Sequence, residues 1–159
     1  MITERKVTID RSIQVIALAA QTTNEAEMKG EGVIPALWEK LHREQCLERI
    51  PNKINGKMFA LYTQYLADET GPYTYAIGSE VAGESSVPEG LTCFTIPAGD
   101  YVVFTTRRGP VQQVVVEAWQ YIWEWSRTNP RAFEVDFELY DDCSEDPANA
   151  QVDIYISVK

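Results

Sequence analysis

Two amphipathic segments, one in each half of the chain, carry the same apolar stripe in the same order, and this repetition most constrains the fold. Ile34, Leu37, Trp38 and Leu41 lie on one face of a helical period, and Val115, Ala118, Trp119 and Ile122 repeat that spacing. Pro35 suits a first helical turn, where its missing N–H costs nothing. Asn129-Pro130 stops the second helix. Strand patterns flank both helices: residues 12–19 before the first, and 58–66 and 73–81 after it. The second is preceded by 91–96 and 100–106 and followed by 133–140 and 151–158. Residues 21–32 read as a loop, Asn55-Gly56 as a turn and Asp68-Glu69-Thr70-Gly71-Pro72 as a hairpin loop. The polar stretch 83–90 links the halves. Any two amphipathic helices can match locally; the repeated strand order is what favours duplication. The expectation is one α+β domain over 1–159, with pseudo-repeats at about 1–83 and 91–159. Duplicated strand–helix–strand–strand units would form a curved antiparallel sheet with two main helices. A central groove between the halves is a natural place for a ligand.

Several classes of function are disfavoured. The 159 residues fit one domain with a sizeable core. A net charge of −10 argues against a phosphate-backbone partner, which needs clustered Lys and Arg. No apolar run is long enough to span a bilayer. The N-terminus leads into no signal-type apolar stretch, so a cytoplasmic location is expected. Cys46, Cys93 and Cys143 show neither a CxxC pair nor a disulfide framework. With His42 the only histidine, neither a zinc site nor a Ser-His or Cys-His nucleophile is expected. Gly-rich phosphate motifs are absent, and no cofactor is expected.

The segment Phe133-Glu134-Val135-Asp136-Phe137-Glu138-Leu139-Tyr140 alternates in polarity, with Phe133, Val135, Phe137 and Leu139 on one face. That face is expected to pack on the helices. Glu134, Asp136, Glu138 and Tyr140 share the other face, and the last strand is expected to agree, with Asp153 and Tyr155 opposite Val152, Ile154, Ile156 and Val158. A solvated acidic face is one reading. The aromatic inventory supports another. Tyr62, Tyr65, Tyr73, Tyr75, Tyr101, Tyr140 and Tyr155 all fall on predicted strands, and tyrosine joins an apolar ring to a polar tip. A carboxylate among such rings suits an organic cation. Trp38 and Trp119 either belong to the core or wall the groove; Trp123 and Trp125 are expected to pack. A carboxylate general base, again Glu138, is the one catalytic group this sequence offers.

Five segments in order resemble a known family: Ile34-Pro35-Ala36-Leu37-Trp38, Tyr73-Thr74-Tyr75-Ala76-Ile77-Gly78, Ile96-Pro97-Ala98-Gly99-Asp100-Tyr101-Val102-Val103-Phe104, Asp136-Phe137-Glu138-Leu139-Tyr140-Asp141 and Val152-Asp153-Ile154-Tyr155-Ile156. The family is the gyrase-inhibitor-like one, also known as the effector-binding domain of AraC- and MerR-type regulators. The chain is similar as well to stand-alone members carried on integron gene cassettes. The resemblance implies a duplicated strand–helix–strand–strand fold and a lipophilic, cationic small-molecule ligand. It maps the family's glutamate onto Glu138, its helix tryptophan onto Trp38 and its hairpin tyrosine onto Tyr75. With Trp119, Tyr62 and Tyr140, these make the expected ligand-binding set. Some relatives resemble hydrolases that use a Glu and a Trp, and others inhibit gyrase; both remain alternatives. Family regulators carry a helix-turn-helix domain beside this one. Here predicted strands occupy the chain nearly end to end, so direct nucleic-acid binding is not expected. A homodimer or a separate DNA-binding partner stays open.

Overall fold

The computed structural model describes residues 2–54, 56–66, 71–83, 86–140 and 146–158. Asn55, residues 68–70 of the expected hairpin loop, part of the 83–90 link, Asp141 and Cys143 lie outside them. Eight strands form one antiparallel sheet: β1 (Thr3–Ile9), β2 (Ile13–Thr22), β3 (Met58–Thr63), β4 (Tyr73–Glu80), β5 (Thr92–Ile96), β6 (Gly99–Thr105), β7 (Val135–Tyr140) and β8 (Asp153–Ser157). The helices are α1 (Asn24–Met28), α2 (Ile34–Arg43), α3 (Cys46–Arg49) and α4 (Val111–Trp125).

The strand order is β1-β6-β8-β7-β3-β4-β2-β5. Exchanging β1 to β4 with β5 to β8 gives the same order read from the other end, so the sheet of this α+β fold has two halves of matching strand order that meet at the β3–β7 pair. Only Pro97 and Ala98 separate β5, at one edge, from β6, beside the other edge. Two residues reach roughly 7 Å, so the sheet curls until its ends approach. Tyr101 on β6 closes that corner, its hydroxyl donating to the Pro97 carbonyl at 2.7 Å. Tight coiling also explains Gly78, where a Cβ would stand 1.9 Å from the Ile16 carbonyl oxygen.

The two sheet faces bury different things. On one face, α2 and α3 set Leu37, Leu41 and Cys46 against Ile16, Leu18, Ala60, Tyr75 and Ile77. On the same face, α4 sets Ala118 and Ile122 against Val102, Phe104, Ile154 and Ile156. Each fully buried Leu or Ile contributes roughly 1.5–3 kcal/mol. The opposite face holds a cluster drawn from strands alone, including Val15, Phe59, Leu61, Tyr101, Val135 and Phe137.

This arrangement corrects several expectations. The apolar face of residues 133–140 does not pack on the helices: Val135, Phe137 and Leu139 join the strand-only cluster, and the Glu138–Tyr140 face lies under the helices. The last strand is reversed relative to it, since Glu138 pairs with Ile154 and Phe137 with Tyr155. Tyr101 and Tyr155 therefore sit with Phe137, away from the other strand tyrosines, and Tyr155 stacks on Phe137 at 4.4 Å. Phe133 precedes β7, in a left-handed conformation at φ 54°. β1, α1 and α3 were not expected.

Candidate functional site around Glu138

Glu138 stands on β7, one of the two central strands, and is 1% exposed. Three neutral donors hold its carboxylate. The Tyr62 hydroxyl donates to Oε2 at 2.7 Å, the Trp119 indole N–H to Oε2 at 2.7 Å, and the Tyr140 hydroxyl to Oε1 at 2.6 Å. No Lys, Arg or His among the described residues forms an ion pair with it. Burial pushes its pKa up, and donation from Tyr140, Trp119 and Tyr62 opposes the rise. The hydroxyls of Tyr62, Tyr75 and Tyr140 are pushed well up, by burial first and then by the nearby carboxylate. They stay protonated; Tyr62 and Tyr140 donate to Glu138, and Tyr75 accepts from Trp38.

The helices bring the remaining candidates to this point. α2 is held at its N-terminus by a neighbour, because its N-cap, Val33, offers no side-chain acceptor. Glu27 of α1 supplies one: it accepts from the Val33 and Ile34 amides at 2.8 and 3.4 Å and from the Thr22 hydroxyl at 2.5 Å. Trp38, one turn into α2, donates its indole N–H to the Tyr75 hydroxyl at 3.0 Å. Its ring meets Tyr140 edge-on at 5.7 Å. Tyr62 contacts Tyr75 at 5.1 Å and Trp119 at 4.9 Å. All six expected residues, Glu138, Trp38, Tyr75, Trp119, Tyr62 and Tyr140, thus form one cluster. Their rings fill the expected groove, the seam where the two helix-covered clusters meet at Tyr140. An open cleft of about 440 Å³ lies elsewhere, lined by Leu18, Lys40, Glu44, Arg49, Glu89 and Gly90. It contains none of the six, and its mixed-charge, open lining lacks the buried carboxylate and rings that make Glu138 the stronger candidate.

Asp136, two residues before Glu138 on the same strand face, is also fully buried but has a different environment. It pairs with Arg131 at 2.6 Å, takes the Ser157 amide and hydroxyl at 2.8 and 3.0 Å, and accepts from Tyr65 at 2.5 Å. Arg131 lies over the Phe133 ring at 4.4 Å. This network, unforeseen from the sequence, engages both Asp136 oxygens and fixes the start of β7, while Arg131 Nε and Nη1 are buried without a hydrogen-bond partner. Glu134 is exposed. Of the three acids on that strand pattern, Glu138 alone is both buried and unpaired by a cation among the described residues. Another unforeseen residue is Ala60, directly paired with Glu138. A sequence signal for it exists: Phe59-Ala60-Leu61-Tyr62 repeats Phe137-Glu138-Leu139-Tyr140 with one change.

Residues 7–158 match the family of integron-associated effector binding proteins. The chain belongs to this family. It is 36% identical over 143 residues to the putative transcriptional regulator protein YobU of Bacillus subtilis, covering 89% of each chain. It is 38% identical over 94 residues to the transcriptional regulator BrlR of Pseudomonas aeruginosa, a match spanning 55% of this chain and 34% of BrlR. Among solved structures, an integron cassette protein from the mobile metagenome of Vibrio cholerae superposes with a TM-score of 0.76. It is 27% identical, covering 98% of this chain and 95% of that one. SAV2435, solved bound to tetraphenylphosphonium, shares the fold with a TM-score of 0.77 at 18% identity, covering 100% and 94%. No helix among the described residues is long and apolar enough to cross a membrane.

Proposed function

We propose that this effector-binding protein takes a lipophilic organic cation onto Glu138, walled by Trp38, Tyr62, Tyr75, Trp119 and Tyr140. One observation carries the reading: a carboxylate buried among aromatic rings that receives only neutral donors. Burying a lone charge is costly, and proteins ordinarily offset the cost with a fixed counter-ion. Asp136 has one in Arg131; Glu138 has none among the described residues. A bound cation would supply it, and the surrounding rings would add attraction of roughly 0.5–2 kcal/mol each. The ligand in SAV2435, a tetraaryl cation, supports the class of effector.

The test is calorimetric titration of tetraphenylphosphonium into wild type and Glu138→Gln. A unit charge pair at 4 Å is worth about 4 kcal/mol at an intermediate dielectric, so the variant should lose well over tenfold in affinity. Equal affinity for the two proteins sinks the proposal. The pH dependence has a definite sign. The raised pKa of Glu138 means that protons compete with the cation. Affinity should be flat above that pKa and fall about tenfold per unit below it. Glu138→Gln should lose this dependence.

A further inference from the structure

The pairing of β3 with β7 places Phe59 opposite Leu139, Ala60 opposite Glu138 and Leu61 opposite Phe137. Exchanging the two halves maps Phe59 onto Phe137 and Leu61 onto Leu139, and so maps each of these pairs onto another. The centre of exchange falls between Ala60 and Glu138, which are each other's counterparts. The flanking pairings extend the same correspondence. Ala60 pairs with Ile77 on β4, and Glu138 pairs with Ile154 on β8. Two residues earlier, Tyr75 therefore corresponds to Val152.

The walls of the site obey this symmetry, while its charge breaks it. Tyr62 and Tyr140 are counterparts, and each donates to one oxygen of Glu138. Trp38 and Trp119 are counterparts, and each lies beside the ring one turn later, Trp38 stacked on His42 at 6.3 Å and Trp119 tilted against Trp123 at 6.5 Å. Trp119 donates to Glu138, but the counterpart of Glu138 in the other half is Ala60, which offers no acceptor, and Trp38 donates to Tyr75 instead; the counterpart of Tyr75 is Val152, which has no hydroxyl. Four of the five rings, Trp38 with Trp119 and Tyr62 with Tyr140, are thus doubled about the centre, Tyr75 having an aliphatic counterpart, whereas the carboxylate is single. A second carboxylate at position 60 would lie directly across from Glu138, at the roughly 4.5–5.5 Å of a cross-strand pair, and repel it. The methyl group of Ala60 avoids that.

From this we infer that Ala60 is a specificity-determining residue, and that the effector carries one positive charge at its centre, between aromatic arms that enter both halves. The inference rests on the proposed role of Glu138. A cation with its charge at the end of a chain would place its tail against the rings of one half only. A dication would bring a second charge to a site with one carboxylate.

Two measurements test the assignment. The first compares tetraphenylphosphonium with decyltrimethylammonium, kept below its micellar range, on wild type. The centrally charged probe should bind at least about tenfold more tightly. The second transposes the carboxylate in the double variant Ala60→Glu/Glu138→Ala, which conserves side-chain volume at the centre. Glu138→Ala alone should lose well over tenfold for tetraphenylphosphonium. The transposed variant should recover to within about tenfold of wild type, since four of the five rings are doubled. If wild type binds neither probe, the proposed function itself fails. If wild type binds tetraphenylphosphonium through Glu138 but a cooperatively melting transposed variant does not recover it, the central-charge inference is overturned. Should that variant not fold, the wild-type comparison decides: equal affinity for the two probes overturns the inference.

Discussion

Asp136 and Glu138 are both buried acids on one face of one strand, and chemistry two residues apart gives them opposite tasks. Asp136 completes a network with Arg131, Tyr65 and Ser157. Removing it leaves the Arg131 charge buried and unpaired, so Asp136→Ala should destabilise the fold by roughly 3–5 kcal/mol. Urea denaturation measures this, and near-wild-type stability would overturn the structural role. Glu138 should behave in the opposite sense. Its pKa is raised in the folded protein, so the fold favours its neutral form. The associated stability is present below the unfolded carboxyl pKa and is lost as pH rises through the folded value. Glu138→Gln, neutral at every pH, should therefore melt higher than empty wild type at pH 8, by roughly 2–4 °C for each kcal/mol relieved. The gap should close in acid. A lower melting temperature for the variant at pH 8 would contradict the account. The sequence displayed both acids as one polar stripe. What separates them is an arginine on the turn before the strand and a tyrosine 71 residues away. Neither is visible in alternation.

At the scale of elements, α2 depends on a side chain from outside itself. Glu27 receives the Val33 and Ile34 amides that the helix leaves unsatisfied. Glu27→Ala should cost about 1 kcal/mol, as loss of a capping acceptor does elsewhere. Because Trp38 sits one turn along, its indole emission should shift as the first turn loosens. An unchanged melt and spectrum would show the contact to be idle. α1 escaped the sequence reading because five residues are too few for a helical period to register, and α3, with four, escaped for the same reason. β1 escaped because an edge strand with mostly exposed side chains has no alternation of burial to display. The two long helices were legible, since each buries one stripe and exposes the rest. The facing of β7 departs from what its alternation predicts for a physical reason. Central in the curled sheet, β7 is buried on both sides, by helices on one and by strands on the other. Polar residues on such a strand face packed elements, not solvent.

The whole molecule is two half-sheets joined at β3 and β7, each with its own helix, over a continuous ladder. The helix-covered clusters share Tyr140, and the ring contacts Trp38–Tyr140 and Tyr62–Trp119 close the seam above Glu138. With Glu138 1% exposed, a ligand as large as a tetraaryl cation reaches it only after those contacts part. The ladder beneath has no reason to break, so under the proposed function opening would displace α2 and α4 relative to one another. Binding as proposed would then require a minor, open conformation, with apparent affinity reduced by its population. This gives a kinetic expectation. When tetraphenylphosphonium in excess is mixed with the protein, tryptophan fluorescence should change at a rate that levels off with ligand concentration, at the rate of opening. Collective motions of this kind fall in the microsecond-to-millisecond range or slower. Trp38→Ala removes the Tyr140 contact and the hydrogen bond to Tyr75, so it should raise the plateau. A rate that climbs linearly, with a slope near a diffusion-limited ~10⁹ M⁻¹s⁻¹, would mean that Glu138 is reached without opening the seam.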